Sequence, residues 1–209
     1  MIITVSRMFG SGGRDVAANV ARQLAWSLFD NAMLDEVAAR LGVSVSEVSS
    51  REERVPSLVE RIASSMTLSA PESALPFADS SILELPEERL VAVTQRVIEE
   101  AVQQGNAVLV GRGAQCMLAE RSDALHVFCY APLASLVEYA VKHRGLSPET
   151  AEHEVHKTNR QREQYVRRHW GRDWRAVENY HLCIDTARLG VPAAADLVVA
   201  AARARFSIS

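Results

Sequence analysis

Apolar and polar positions change their period along the chain, and the changes mark out strands and helices. Ile2 to Ser6 is β-branched and apolar, and it runs straight into RMFGSGG. A short apolar run halted by glycines predicts a strand buried in a parallel sheet. From Arg14 the period lengthens: Val16, Val20, Ala21 and Leu24 recur at helical spacing, with Ala17 and Ala18 between them. That pattern predicts an amphipathic helix. A short SLFD segment and a second helix around Leu34 to Leu41 come next. Ser44 with Glu47 three residues on has capping-box spacing and opens a further helix. Residues 51–68 have a mixed helical pattern, whereas Ser69 to Ser81 is rich in Ser, Pro and Ala and predicts a loop.

The second half alternates more regularly. Leu90 to Val102 predicts a helix ended by Gly105, and Asn106 to Val110 a strand broken by Gly111-Arg112-Gly113. Ala124 to Ala131 predicts another strand, with Pro132 in the first turn of the helix after it. A long polar helix is expected from Pro148 to about His169, a last strand over His181 to Thr186, and a closing helix from Pro192 to Ala202. Strands alternating with helices imply a parallel sheet covered on both faces.

Composition narrows the class. The 209 residues suffice for one domain with a small lid or insertion, and 48% hydrophobic with 23% charged residues is ordinary globular usage. The formal net charge of −3 argues against nucleic acid as a partner. Cys116, Cys129 and Cys183 form no C-x-x-C pair and lie in or beside apolar segments, so they are expected to be buried, reduced thiols. No apolar run approaches the ~18 residues of a membrane span, and IITVS has no basic segment before it. A cytoplasmic protein without a membrane partner is the expectation.

The glycines carry the chemistry. Gly10, Ser11, Gly12 and Gly13 fall between the first strand and the first helix, and Arg14 opens that helix. Backbone N–H groups at a helix start have no intrahelical partners, glycines let the loop curl around an anion, and the helix dipole favours negative charge there. A ligand-free tight turn is the plain alternative. The motif departs from G-x-x-x-x-G-K-[ST]: Gly13 stands at the lysine position, Arg14 at the hydroxyl position, and Arg7 where the first glycine would be. An arginine such as Arg7 or Arg14 could supply the missing charge as a bidentate phosphate clamp. G-x-G-x-x-G is not met, which disfavours a dinucleotide fold.

Four stretches carry a family likeness: ITVSRMFGSGGRDVA, LFDNAMLDEVAARLG, AVLVGRGAQCML, and HVFCYAPLASLVEYAVKHRGLSPETAEHEVHKTNRQREQYVRRHWGRDW running toward YHLCIDTARLG. The chain resembles the cytidylate kinase-like group of P-loop nucleoside monophosphate kinases over about two thirds of its length. The resemblance implies a three-layer α/β P-loop NTPase-like fold in a single domain, 1–209, with a central parallel sheet. It also implies a helical acceptor-side insertion at about 45–100 and an arginine-bearing lid at about 155–178. On it, Gly10 to Arg14 wrap the donor phosphates, Asp30 begins the acceptor region, and Arg112 faces the acceptor phosphate. Asp185 and Thr186 match a terminal I-D-T segment near the donor base, more architectural than catalytic. The chain departs from the bacterial enzymes where Gly113 and Ala114 replace the aspartate of G-R-D. It departs again where D-x-x-R reads Asn159-Arg160-Gln161-Arg162 and where Val155 replaces an arginine.

Arg160, Arg162, Arg167, Arg168, Arg172 and Arg175 lie within sixteen residues. At helical spacing Arg160, Gln164 and Arg167 share one face, and Arg162, Tyr165 and His169 another. Phosphoryl transfer spreads negative charge over the transferring group, so arginines closing over it stabilise the transition state. A solvated face balanced by Glu152, Glu154 and Glu163 is the alternative. Trp170 and Trp174 are expected to anchor the base of the lid, and His153 and His156 to lie at the surface rather than on a metal.

The expected activity is therefore transfer of the γ-phosphate of ATP, with Mg²⁺ as its counter-ion, to a small acceptor, CMP or dCMP by the resemblance. Arg7, Gly10, Ser11, Gly12, Gly13 and Arg14 would hold ATP, Asp30 and Arg112 the acceptor, and Arg14, Arg162, Arg168 and Arg172 would serve catalysis. A non-catalytic nucleotide sensor, a kinase of a non-nucleotide acceptor and an arginine-helix nucleic-acid module stay open, as does a homodimer.

Overall fold

The computed structural model describes residues 1–30, 87–103 and 105–208. The helix expected over 34–41, the capping box of Ser44 and Glu47, the helical stretch 51–68 and the loop 69–81 lie outside the described residues. The chain divides into two units, Met1–Asp30 with Asn106–Ser209, and Asn31–Gly105. Of the second unit one helix is described, α2 (Glu87–Gln103), whose buried Val91, Thr94, Ile98 and Ala101 recur at helical spacing.

In the first unit the N-terminal apolar run forms β1 (Ile2–Arg7), and Ile2 to Ser6 are all buried. Continuous burial follows from a central place in the sheet: β1 pairs in parallel with β3 (Ala107–Val110) on one side and β4 (Ala124–Tyr130) on the other. With β2 (Ser27–Phe29) and β5 (Leu182–Asp185) the order is β2-β3-β1-β4-β5, every pair parallel. SLFD, too short to assign from its pattern, is therefore an edge strand.

Strand alternation sends successive side chains to opposite faces. On one face Ile3, Val5, Val110, Val127 and Cys129 pack with Val16 and Val20 of α1 (Gly13–Leu24) and with Ala194 and Val198 of α7 (Val191–Phe206). On the other, Phe128 packs with Cys116 of α3 (Ala114–Met117), Val166 of α5 (Pro148–Trp170) and Trp174. The expected three-layer arrangement results. Pro132 caps α4 (Leu133–Arg144) from one residue outside it rather than standing in its first turn. A four-residue helix α6 (Thr186–Leu189) precedes α7. Cys116 and Cys129 are buried as expected, but Cys183 is exposed, because it sits on the edge strand β5.

One polar pair lies inside the sheet. Thr4 and His126 face each other across β1 and β4, 2.8 Å apart between Oγ1 and Nδ1, and His126 is 3% exposed. Burial, followed by the neighbouring His181 stacked 5.0 Å away and the charges of Arg205 and Arg172, lowers its pKa to about 4. The native ring is thus neutral at a pH where the unfolded chain, near 6.5, already takes up a proton. The contribution is full above the unfolded value and is lost as pH falls from about 6.5 to about 4, amounting to about 3 kcal/mol. Denaturant melts at pH 7 and pH 4 are expected to show His126→Asn losing less stability than the wild type by most of that amount. Equal losses would mean that other groups govern the acid limb.

Candidate active site

The site is built at the carboxyl ends of the central strands, where the chain must turn from β1 into α1. Met8 N–H still donates to Cys129 O at 2.9 Å, as a last rung of the sheet, and then the chain doubles back. Ser11 stitches the turn by donating from N and Oγ to Met8 O at 3.2 and 2.8 Å. Phe9 N–H donates to Asn159 Oδ1 of α5 at 2.8 Å. Thr186 Oγ1 donates to Ser11 O at 2.7 Å and lies 3.1 Å from Tyr130 O. The I-D-T segment thereby braces the loop from behind, and Asp185 caps α6 by accepting from Ala187 and Arg188 N–H.

Gly12, at φ 67, is the cap residue of α1 and brings no capping side chain of its own. Its first N–H groups and the positive end of its dipole face the loop, the arrangement that receives an anion. Three of the glycines also answer to packing, Gly12 through a Cβ position 2.8 Å from Val191 Cγ2. Gly10, at φ 81, brings its α-carbon so close to α4 that a Cβ would lie 2.3 Å from Leu136 O. A Cβ at Gly13 would lie 2.5 Å from the Cβ of Arg7 and 3.0 Å from that of Cys129.

Four arginines gather on this loop from four segments. Arg7 ends β1, and Arg14 sits in the first turn of α1. Arg112 occupies the turn after β3, at φ 52 between Gly111 and Gly113, which also have positive φ. Arg162 comes from α5, whose inward stripe runs through Ala151, Val155, Asn159 and Val166. Arg14 Nη2 pairs with Asp30 Oδ2 at 2.5 Å. Arg162 Nη1 donates to Arg7 O at 2.7 Å. The Arg112 guanidinium lies 5.7 Å from the ring centre of Tyr165.

Concentrating cations in a dry place has an electrostatic cost, and the two inner arginines register it. Burial lowers Arg7 to a pKa of about 10; Asp30 opposes the shift, and Arg112 and Arg14 add to it. Burial lowers Arg162 to about 9, helped by Arg7 and Arg144. Such a cluster is relieved by a polyanion.

The remaining expected residues lie elsewhere. Arg168 is on the exposed part of α5, with Arg160 and Arg167. Arg172 donates to Asn179 Oδ1 at 3.4 Å, and its charge acts on Cys116 and His126 rather than on the loop. Trp174 is buried edge-on against Phe128, and Trp170 fills the space over Gly113, where a Cβ would lie 2.3 Å from its ring. That contact accounts for the missing aspartate of G-R-D: no side chain fits beside Arg112. His153 and His156 are exposed. Among the described residues no group of three or more His, Cys, Asp or Glu could hold a metal, and no helix is long and apolar enough to cross a membrane.

Sequence reasoning missed two contacts of the site. Tyr139 donates its hydroxyl to Asp15 in the first turn of α1, and Arg144 lies 5.9 Å from the ring centre of Phe9. Neither has a motif signal, since both depend on how α4 lies across the loop. A cavity of about 510 Å³ opens beside it, lined by Met8, Leu136, Val155, Asn159, Arg160 and Arg175 among others. Its size suits a small ligand, but none of the four gathered arginines lines it.

Comparison with known proteins bears on the fold and the family. A crystal structure of an uncharacterised protein from Eubacterium ventriosum superposes with a TM-score of 0.70 at 19% identity, covering 97% of this chain and 98% of that one. The protein TT1252 from Thermus thermophilus gives 0.53 at 20% identity, over 98% and 96%. Shikimate kinase from Bacteroides thetaiotaomicron gives 0.50 at 12% identity, over 100% and 99%. These likenesses show the fold alone, a parallel sheet between helix layers. A search of curated proteins finds no match to the sequence. The cytidylate kinase-like family matches residues 2–188, nearly the whole of a chain that turns from strand to helix through an arginine-ringed glycine loop, and the chain belongs to that family.

Proposed function

We propose that the protein is an ATP-dependent phosphotransferase acting on a small phosphorylated acceptor, with CMP or dCMP as the first candidates. One observation carries the reading: Arg14 and Arg112 act electrostatically on Arg7 at the head of the glycine loop, Arg162 of α5 donates to Arg7 O, and Asp30 pairs with Arg14. Two substrates bearing phosphates would fill such a site, and neither a single carboxylate nor an apolar ligand would.

In the reaction, a phosphate oxygen of the acceptor attacks the γ-phosphorus, the bond to the β–γ bridging oxygen breaks, and ADP leaves. The loop N–H groups from Gly10 to Gly13 hold the donor phosphates with Arg14, whose direction Asp30 fixes. Arg112 holds the acceptor phosphate. Arg162 neutralises charge on the transferring group, and no covalent nucleophile is needed. Arg14 stands where a P-loop hydroxyl would ligate Mg²⁺, so the loop would offer the ion no side-chain oxygen there and the nucleotide's phosphates would have to carry it, to neutralise charge on them. Arg168 and Arg172 have no part in this scheme, given their places on the exposed face of α5 and beside Asn179. Residues 45–100 would supply the acceptor side, about 155–178 the lid, and the cytoplasm the ATP.

The test is ADP release from Mg-ATP against CMP, dCMP, UMP, AMP and small non-nucleotide alcohols. Turnover at least tenfold above the acceptor-free background is expected with CMP or dCMP. ATP binding by calorimetry without turnover for any acceptor would replace the kinase with a nucleotide sensor.

A further inference from the structure

A P-loop ordinarily places a lysine directly after its last glycine, in the first turn of the helix, to reach the β- and γ-phosphates. Here that position is Gly13, and it cannot accept a side chain. A Cβ there would lie 2.5 Å from the Cβ of Arg7, 3.2 Å from its Cγ and 3.0 Å from the Cβ of Cys129. Arg7 and Cys129 are register partners on β1 and β4, both directed to the α1 side of the sheet, so neither can retreat without dislodging a central strand. The space a lysine stem would cross is already filled by the stem of Arg7.

The head of that side chain has a charged neighbourhood. The Arg7 guanidinium lies within electrostatic reach of Asp30, Arg112 and Arg14. Its backbone carbonyl accepts from Arg162 Nη1 at 2.7 Å, tying the same residue to α5. A residue at the first position of the loop is ordinarily glycine; here it carries the long cation, and the lysine position carries the glycine.

We propose that Arg7 supplies, from the end of β1, the phosphate-binding cation that other P-loops supply from the position of Gly13, and that the two positions form an exchanged pair. The guanidinium enters the phosphate site from the sheet side rather than the helix side and grips two oxygens where an ammonium would act as a point charge. The kinetic consequence rests on the phosphotransferase reading; the phosphate contact does not.

The exchange can be reversed. Calorimetry with inorganic tripolyphosphate on wild type, Arg7→Met, Arg7→Gly and the double variant Arg7→Gly with Gly13→Lys reads the contact without any turnover. Arg7→Met and Arg7→Gly are expected to weaken binding at least tenfold. The double variant should regain all but about threefold of it, and with an active wild type should also regain at least a tenth of kcat. Arg7→Met keeps the stem's volume, and a melt alongside shows that it folds, so it decides the matter even if the double variant does not fold. Arg7→Met binding as tightly as wild type would overturn the proposal, as would a folded double variant binding no better than Arg7→Gly. Tripolyphosphate binding that follows Arg7 in a protein that turns over no acceptor would leave the exchange standing and remove the kinase reading instead.

Discussion

Arg162→Met is expected to lower kcat by about 10³-fold or more while leaving the protein at least as stable as the wild type. The two halves come from one fact. Arg162 projects from the inward stripe of α5, and burial lowers its pKa to about 9, with Arg7 and Arg144 adding repulsion. Holding a cation there is unfavourable to the empty protein. An apolar chain of similar length removes that burden and keeps the packing, at the cost of the charged hydrogen bond to Arg7 O, worth about 1.5–3 kcal/mol. In the transition state the balance reverses, because the transferring phosphoryl group presents the negative charge the guanidinium lacks, and arginines in that role contribute about 10³ to 10⁵ in rate. Single-turnover kinetics and a thermal melt on the same preparation check both halves. Loss of activity together with a melting temperature several degrees lower would make Arg162 a structural residue, and retained activity would remove it from the chemistry.

Much of the frame was legible because it rests on local patterns. β1, the glycine break and α1 follow from a change of hydrophobic period and from the need of a strand-to-helix turn for glycine. Arg112 and Arg162 could be singled out by likeness to known motifs. What could not be read was direction. α5 is so rich in charge that its buried stripe through Val155, Asn159 and Val166 is hidden among polar residues, and only that stripe separates the inward Arg162 from the outward Arg168. Arg172 follows the helix end at Gly171, so helical periodicity says nothing of its direction; its partner Asn179 is set by the irregular segment beyond. The Arg14–Asp30 pair links the start of α1 to the residue after β2, a contact that exists only once β2 has joined the sheet edge. Cys183 looked like its two fellows because an edge strand reads much like a central one over four residues.

The glycines raise a sharper question, since both packing and ligand binding can demand them, and Gly10→Ala separates the two. Its φ of 81 is unfavourable for alanine by about 1–2 kcal/mol. The new Cβ would also lie 2.3 Å from Leu136 O and 3.0 Å from its carbonyl carbon, backbone atoms inside α4 that cannot rotate away. Overpacking of this kind costs about 1–3 kcal/mol more, giving a loss of roughly 2–5 kcal/mol. Gly145→Ala is the matched control: φ is 64 and no atom lies within 4 Å of its Cβ, so only the conformational part of about 1–2 kcal/mol should appear. Denaturant melts of the two variants are expected to differ by at least 1 kcal/mol, and equal losses would mean that the loop does not bear on α4. The same Gly10→Ala protein, where folded, should bind tripolyphosphate at least tenfold more weakly, because α4 can relieve the clash only by pushing the loop off the N-terminus of α1. Undiminished binding in a destabilised variant would make Gly10 a packing residue and leave phosphate recognition to Gly12, Gly13 and the arginines.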